Sequence, residues 1–350
     1  MRLCIIVGTR PQIIKSQPII KELLSRKTSL SIIHTGQHYD YQMSKIFFEE
    51  MNIRDPDLNL EVRPNTPAQQ LAQIIQKLER PLKKINPDLV IIPGDTRSAL
   101  GGALCANRLG IKVAHVEAGA RSMDFDMEEE INRRIIDHCS ELLFAPTRNC
   151  YKNLKKESVL GSSYFTGDTM YDVFLEFKKT LKLEKAGGGR YVLMTLHRKE
   201  NIENYQKIKK ILALAKQIAA KGWEVIFPIH PHTKKQIKSF GLRIDGITTI
   251  DPVKYSQMLR LLCDANLLIT DSGGLQKEAY WLDTPCVTIR ESTEWIETLD
   301  GKHNFLLPNP ESSSVNIITK ILKQKRLRTK HYNLFGDGKA ARKMASILLQ

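Results

Sequence analysis

Along the chain, short runs of apolar and β-branched residues alternate with stretches whose apolar positions recur at helical spacing. That alternation is the signature of βαβ units and parallel sheet. A first series of buried-strand runs comprises Leu3–Val7, Leu30–His34, Leu89–Ile92, Val113–Val116 and Leu142–Ala145. Helices fit between them. The clearest begins at Thr66-Pro67-Ala68, with Thr66 as N-cap, Pro67 at the first helical position, and Leu71, Ile74, Ile75 and Leu78 following at helical spacing. A second series opens after the glycine-rich stretch Lys185–Arg190, which reads as a turn before a new strand. It runs through Tyr191–Thr195, Val225–Ile229, Ile247–Ile250, Leu267–Thr270 and Cys286–Ile289. No repeat relates the halves. The pattern predicts two doubly wound α/β domains, residues 1–168 and 169–334. Ligands bind beyond the carboxyl ends of strands in such sheets, so the predicted active site is a cleft between the domains, where two such edges can face each other.

Composition narrows the classes. The 350 residues are 42% hydrophobic and 26% charged, enough for two ordinary cores. No run of about 18 apolar residues marks a membrane span. The N-terminus enters a strand pattern directly and lacks signal-peptide features, so a cytoplasmic protein with no membrane partner is expected. The cysteines Cys4, Cys105, Cys139, Cys150, Cys263 and Cys286 never form Cys-x-x-Cys, and several sit in apolar strings that suit packing rather than a metal. The net charge of +15 suits an anionic partner. Its lysines are dispersed, as in Lys207-Ile208-Lys209-Lys210, without an aromatic-rich basic segment. A phosphorylated small molecule therefore fits better than nucleic acid.

Candidate chemistry falls at the strand ends. Val7-Gly8-Thr9-Arg10-Pro11 turns a strand into a helix whose free N–H groups, with Arg10 and Lys15, suit an anion; an ordinary βα turn with two surface cations reads the same. The turn is neither a Walker loop nor GxGxxG, so no nucleotide redox cofactor is expected. In Pro93-Gly94-Asp95-Thr96, Asp95 reads equally as a helix cap or as a cleft-facing carboxylate. Glu117 ends the run His115-Val116 among small residues. Glu128, Glu129 and Glu130 open a helix, where acids also complement the helix dipole. Together these carboxylates form a set whose acidities burial and mutual repulsion can tune. His197, with Arg198 and Lys199 after the strand Tyr191–Thr195, suits the phosphates of a nucleotide, or is a histidine satisfied by backbone. His230-Pro231-His232 fits surface use better than metal binding. The strongest local signal is Thr270-Asp271-Ser272-Gly273-Gly274, where bare backbone at a helix start admits phosphate oxygens, and Glu278 one turn on can accept ribose hydroxyls. No serine has the Gly-x-Ser-x-Gly setting of a hydrolase nucleophile.

In this order, these segments resemble the UDP-N-acetylglucosamine 2-epimerase family over nearly the whole chain. The resemblance is carried by Gly8-Thr9-Arg10-Pro11, Gly94-Asp95-Thr96, Val116-Glu117-Ala118-Gly119, Glu129-Glu130-Ile131-Asn132-Arg133, Leu196-His197-Arg198, Thr270-Asp271-Ser272-Gly273-Gly274 and the closing Phe335-Gly336-Asp337-Gly338. It implies two Rossmann-like domains in a GT-B-like fold, an active site between them, a homodimer, and a C-terminal helix (335–350) packed back on the N-terminal domain. The implied reaction is non-hydrolysing inversion at C2 of a UDP-sugar, feeding cell-surface polysaccharide synthesis with no metal or cofactor. UDP leaves C1 as the C2 proton is removed, a 2-acetamidoglucal forms, and UDP and a proton then return. By match to the family's motifs, Asp95, Glu117 and Glu129 are candidate acid/base carboxylates and His197 their partner at the UDP side. Arg10 and Lys15 would contact the sugar–phosphate portion, Ser272, Gly273 and Gly274 the pyrophosphate, Glu278 the ribose, and Arg290 the same pocket.

Several positions depart from the family pattern. Gln12 stands where Glu is usual after Arg-Pro, Glu128 replaces the Pro before the paired acids, and Trp295 replaces the Arg of Thr-Glu-Arg, removing a cation near the expected nucleotide site. Gln12, Gly36-Gln37-His38-Tyr39-Asp40, Gly167-Asp168, Pro285-Cys286-Val287-Thr288 and Trp295 look more like a subgroup that epimerises UDP-2,3-diacetamido-2,3-dideoxyglucuronate. The Gln-His-Arg pattern linked with substrate activation in bacterial relatives is incomplete, since Tyr39 follows His38, and that regulation is not expected. The competing readings are a hydrolysing 2-epimerase, a glycosyltransferase on the same fold, and a catalytically silent binding protein.

Overall fold

The computed structural model describes residues 1–37, 48–63, 66–184, 190–299, 303–323 and 333–350. The turn at 185–189 and the His38-Tyr39-Asp40 part of the quoted segment lie outside the described residues. The chain divides into two compact units, Met1–Lys178 with Tyr332–Gln350, and Lys179–His331.

The first unit is built on a seven-stranded sheet of β1 (Arg2–Val7), β2 (Ser29–His34), β3 (Leu58–Asn59), β4 (Leu89–Pro93), β5 (Lys112–Val116), β6 (Leu142–Ala145) and β7 (Ser162–Phe165), in the order β3-β2-β1-β4-β5-β6-β7. All its pairings are parallel. The inner strands are apolar on both faces because helices cover both: in β1 every residue after Arg2 is buried. One face is filled by Ile74, Leu78 and Leu82 of the helix Pro67–Ile85 and by Ala99, Ala103 and Ala106 of the helix Arg97–Arg108. Thr66 caps the former as expected, its hydroxyl accepting from the Gln69 N–H at 3.3 Å with Pro67 beside it.

The second unit is a parallel six-stranded sheet of β8 (Tyr191–Thr195), β9 (Glu224–Pro228), β10 (Thr248–Ile250), β11 (Leu267–Thr270), β12 (Cys286–Thr288) and β13 (Asn304–Leu306), ordered β10-β9-β8-β11-β12-β13. Its core joins Val192, Met194, Phe227 and Ile269 to Ile211, Leu214 and Ile218 of the helix Tyr205–Ala220. Both sheets therefore reverse direction of winding once, beside β1 and β4 in the first unit and beside β8 and β11 in the second. The two sheets with alternating helices are the α/β, GT-B-like class that the sequence indicates.

Three strands escape the hydrophobic pattern: β3, β7 and β13. Each lies at a sheet edge. They are short, and β7 reads Ser-Ser-Tyr-Phe, because an edge strand has a neighbour on one side only and need not be a continuous apolar run. The cysteines are free thiols, all buried but the half-buried Cys139, and burial pushes Cys4 and Cys286 up to about 12.

The closing Phe335-Gly336 motif docks on Gly167-Asp168. The Asp168 N–H donates to the Phe335 carbonyl at 2.9 Å, and a Cβ on Gly336 would meet Gly167 Cα at 2.8 Å. Both glycines have positive φ, +97° and +93°. The helix Ala340–Leu348 follows, its first N–H groups satisfied from outside by Asp172, whose carboxylate accepts from Ala340 at 3.1 Å and Ala341 at 2.8 Å. Substituting Gly336→Ala should cost about 2 kcal/mol locally through backbone strain, before the added contact is counted. Amide exchange across 340–348 should then speed up at least roughly tenfold; unchanged protection would contradict this docking.

Candidate functional site

In the first unit, the residues singled out at the ends of β1, β4 and β5 are brought together by the strand order. Gln12, the departure from the usual Glu, joins two of these ends. Its Oε1 accepts from the Gly8 N–H at 2.9 Å, and its Nε2 donates to the Pro93 carbonyl at 2.8 Å. A carboxylate could make the first bond but not the second. Lys15, buried one turn further along the helix Arg10–Ser25, pairs with Glu117. A Cβ placed on Gly94 would lie 3.1 Å from its ammonium, so that glycine leaves the lysine room to cross from β1 to β5. Glu117 itself has φ +76°, a conformation sparsely populated by residues with a side chain. It is held there by N–H groups of Glu117 and Ala118, both donating to the Phe144 carbonyl at 3.1 Å. Such strain, of order 1–3 kcal/mol, concentrates at functional sites. Arg10 occupies the first position of its helix, half-buried.

Asp95 is not the helix cap. Thr96 takes that place, its hydroxyl accepting from the Ala99 N–H at 3.2 Å. One oxygen of Asp95 instead accepts from Nε and Nη2 of Arg133, at 3.1 and 2.6 Å, while Asn132 donates to its backbone carbonyl at 2.9 Å. The three acids opening the helix Glu128–His138 separate by role. Glu128 pairs with Arg97. Glu130 is fully buried, accepting from the N–H and hydroxyl of Ser122 at 2.8 and 3.0 Å and from Arg133 at 3.1 Å. Glu129 is half-buried and lies one turn before Asn132 and Arg133, on the face that meets Asp95.

Beneath this cluster lies a set of residues that the sequence reading did not select. His115, fully buried in β5, bridges Asp137 Oδ1 at 2.6 Å and the Gly94 carbonyl at 3.0 Å. Asp137 also accepts from the Gly119 N–H at 3.1 Å and from Arg121 at 2.7 Å, and Arg121 forks onto Glu157 at 2.9 and 2.7 Å. Burial alone would raise the Asp137 carboxyl; His115 and Arg121 outweigh it and hold the group below its ordinary range. The available signal was a His and an Asp each in an otherwise apolar setting, but their pairing joins residues 22 apart and needs the fold.

The second unit is organised around another carboxylate left off the candidate list. Asp271, fully buried at the end of β11, accepts from the His197 N–H at 3.2 Å, the Arg198 N–H at 3.0 Å and Asn201 Nδ2 at 3.1 Å. It also holds His197 Nδ1 at 3.0 Å, while the ring stays about half exposed. Burial opposes ionisation, yet His197 and these donors bring the Asp271 carboxyl down to about 2. Ser272 caps the helix Gly273–Trp281, its hydroxyl accepting from the Leu275 N–H at 3.4 Å. Gly273 and Gly274 begin that helix, where N–H groups lack intrahelical partners. Where a Cβ on Gly273 would point, Glu294 Oε1 stands 2.7 Å away and Trp295 Nε1 3.0 Å, so the glycine is also needed for packing. Glu278 is buried in the same helix, and Arg290 is buried and donates to Glu294 at 2.7 Å. The ring of Trp295 receives the ammonium of buried Lys277 at 3.8 Å from its centroid. A cation thus stands against the residue that departs from the family's pattern. His230 Nδ1 accepts from the His232 N–H at 3.2 Å as a helix cap. Among the described residues, no three His, Cys, Asp or Glu are grouped to hold a metal ion.

Comparison with known proteins identifies the family. The family model for UDP-N-acetylglucosamine 2-epimerase matches residues 21–349. A UDP-N-acetylglucosamine 2-epimerase of Methanococcus maripaludis is 42% identical over 361 aligned positions, covering 98% of this chain and 97% of its own. A UDP-2,3-diacetamido-2,3-dideoxy-D-glucuronate 2-epimerase of Pseudomonas aeruginosa is 39% identical over 313, covering 88% of each. The solved structure of the Methanocaldococcus jannaschii UDP-GlcNAc 2-epimerase, in complex with UDP-GlcNAc and UDP, superposes with a TM-score of 0.93 at 40% identity, covering 100% of this chain and 99% of that one. The fold and the family match define a nucleotide-sugar epimerase of the GT-B-like class. The chain belongs to the UDP-N-acetylglucosamine 2-epimerase family.

The low Asp271 value links stability to pH. An unfolded aspartate titrates near 3.9, so above that pH the carboxylate contributes its full stabilisation, about 2 kcal/mol, and loses it as pH falls through the folded value near 2. Asp271→Asn should therefore remove about that much of the stability lost between pH 4 and pH 2, as read by denaturant unfolding of the second unit. Equal acid slopes for both proteins would contradict the assignment.

Proposed function

We propose that the chain inverts C2 of a UDP-2-acetamido sugar without hydrolysis, converting UDP-GlcNAc to UDP-ManNAc by elimination and re-addition of UDP through a 2-acetamidoglucal. The observation that carries the proposal is the gathering of Lys15, Glu117 and the Arg133-held Asp95 at the carboxyl ends of neighbouring strands. A C2 proton is weakly acidic, so its removal has to be coupled to departure of UDP. That requires a positioned base, and positive charge or N–H groups for the diphosphate. Glu117, Asp95 and Glu129 carry the proton transfers in this reading. Arg10 and Lys15 contact the sugar–phosphate portion. Ser272, Gly273 and Gly274 hold the diphosphate, Glu278 binds the ribose, Arg290 lines the same pocket, and His197, oriented by Asp271, acts at the UDP side. The reaction belongs to the cytoplasm and supplies cell-surface polysaccharide synthesis.

The second reading takes UDP-2,3-diacetamido-2,3-dideoxyglucuronate as substrate. Gln12 and Trp295 resemble the subgroup acting on it, and a Pseudomonas aeruginosa relative named for that sugar is 39% identical, beside 42% for a relative named for UDP-N-acetylglucosamine. Incubation with each sugar in D2O, followed by NMR, separates the readings. Deuterium at C2 of an intact UDP-sugar supports the epimerase and identifies its substrate; free sugar points to hydrolysis, and absence of exchange with both would sink the proposal. Glu117→Gln should slow exchange at least about 100-fold while UDP still binds. Turnover at the wild-type rate would refute the role given to Glu117.

The helix Glu128–His138 and the loop before it expose Met123, Phe125, Ile131 and Ile135. Arg134 joins them, its guanidinium 5.1 Å from the Phe125 centroid and 3.4 Å from the Met123 sulfur. An apolar surface of this kind is the face we assign to a homodimer. Ile135→Lys should shift the mass in light scattering toward the monomer, and an unchanged mass would remove this face from the interface.

A further inference from the structure

The first unit carries a hollow lined by none of the residues given the proposed chemistry. It has a volume of about 740 Å3 and lies along the edge strand β7, lined by Tyr151, Tyr164 and Phe165 and by Lys339, Arg342 and Lys343. A smaller hollow of about 240 Å3 shares Phe165 and Lys343 with it and adds Arg148, extending the groove. The combined size suits a small ligand rather than a single ion.

Three properties of the groove bear on what it can hold. Its cations are arranged, since Lys339, Arg342 and Lys343 recur at the three- and four-residue spacing that puts side chains on one helical face. Asp337 is the one acid among the lining residues, and it pairs with Lys343 at 2.9 Å. Its rings are already used as a cation surface, with Arg148 5.1 Å from the Phe165 centroid and Lys155 5.4 Å from the Tyr151 centroid. Finally, the strand itself offers backbone. Ser162 and Thr166 donate N–H groups toward β6, at 2.8 and 3.1 Å, so by strand alternation the peptide groups of Ser163 and Phe165 point away from it, toward the open edge.

A ligand that answers all three has a flat ring for the aromatic side chains, hydrogen-bonding edges for the outward-facing peptide groups, and negative charge for the helix. We propose that this groove binds a nucleoside phosphate, base against Phe165 and phosphates on Lys339 and Arg342. None of its lining residues is among those assigned to UDP in catalysis. Its cations come from side chains alone, because the first N–H groups of the helix Ala340–Leu348 are taken by Asp172.

Photolabelling of the full-length protein with 8-azido-ADP, with peptide mapping by mass spectrometry, tests this directly. The expected label falls on peptides containing 151–166 or 339–347. ADP should displace it and a glutamate-rich decapeptide should not, and it should fall at least about tenfold in the Lys339→Glu/Arg342→Glu double variant. Both positions are exposed, so folding should survive; Lys339→Gln/Arg342→Gln provides a milder pair with the same expected direction. No label in these peptides, labelling indifferent to both variants, or displacement by the acidic peptide in preference to ADP would each overturn the proposal. Labelling confined to peptides around residues 270–290 would do so too, while leaving the proposed epimerase reaction intact.

Discussion

A carboxylate closed off from water has to be answered by donors on every side, or its charge costs several kcal/mol. Each unit of this protein contains such groups, among them Asp137 in the first and Asp271 in the second, both fully buried. Satisfying them fixes the surrounding residues. Around Asp137 the requirement positions His115, the Gly119 N–H and Arg121; through His115 it reaches the Gly94 carbonyl, next to Asp95. Around Asp271 it sets the backbone of His197 and Arg198, the side chain of Asn201 and the ring of His197.

These interactions place the candidate residues at the ends of strands while leaving them partly open. Arg133 takes one oxygen of Asp95, and His197 keeps about half its side chain exposed though its Nδ1 is held. The strained backbone of Glu117 belongs to the same scheme: it aims a carboxylate at Lys15 across β4, and two N–H groups on the Phe144 carbonyl keep it there. Rigid placement of the candidate carboxylates is what this first unit provides.

The inner strands were legible because burial on two faces demands continuous apolar runs, and the carboxyl-end motifs followed from them. Residues whose meaning depends on long-range contact were not. His115 and Asp137 give no hint of one another in sequence, and Asp271 reads as one member of a turn motif until its donors from 197–201 are seen. Gln12 looked like a departure in the chemistry and proves to be a tie between two strand ends. Trp295 read as a lost cation, while the structure sets Lys277 against its ring. The edge strands β3, β7 and β13 stayed hidden because half-exposed, short segments carry little hydrophobic pattern.

The central claim is that UDP leaves C1 and returns as C2 inverts. Positional isotope exchange reads this step without reference to any one residue. UDP-GlcNAc, or the diacetamido-uronate if that sugar is the substrate, is prepared with 18O in the oxygen joining C1 to the β-phosphorus. If UDP is expelled, its β-phosphate rotates before returning, and label appears in the non-bridging positions. The expected result is scrambling at a rate comparable to C2 inversion, seen by 31P NMR. Inversion at C2 with the 18O still wholly in the bridge would contradict elimination and re-addition.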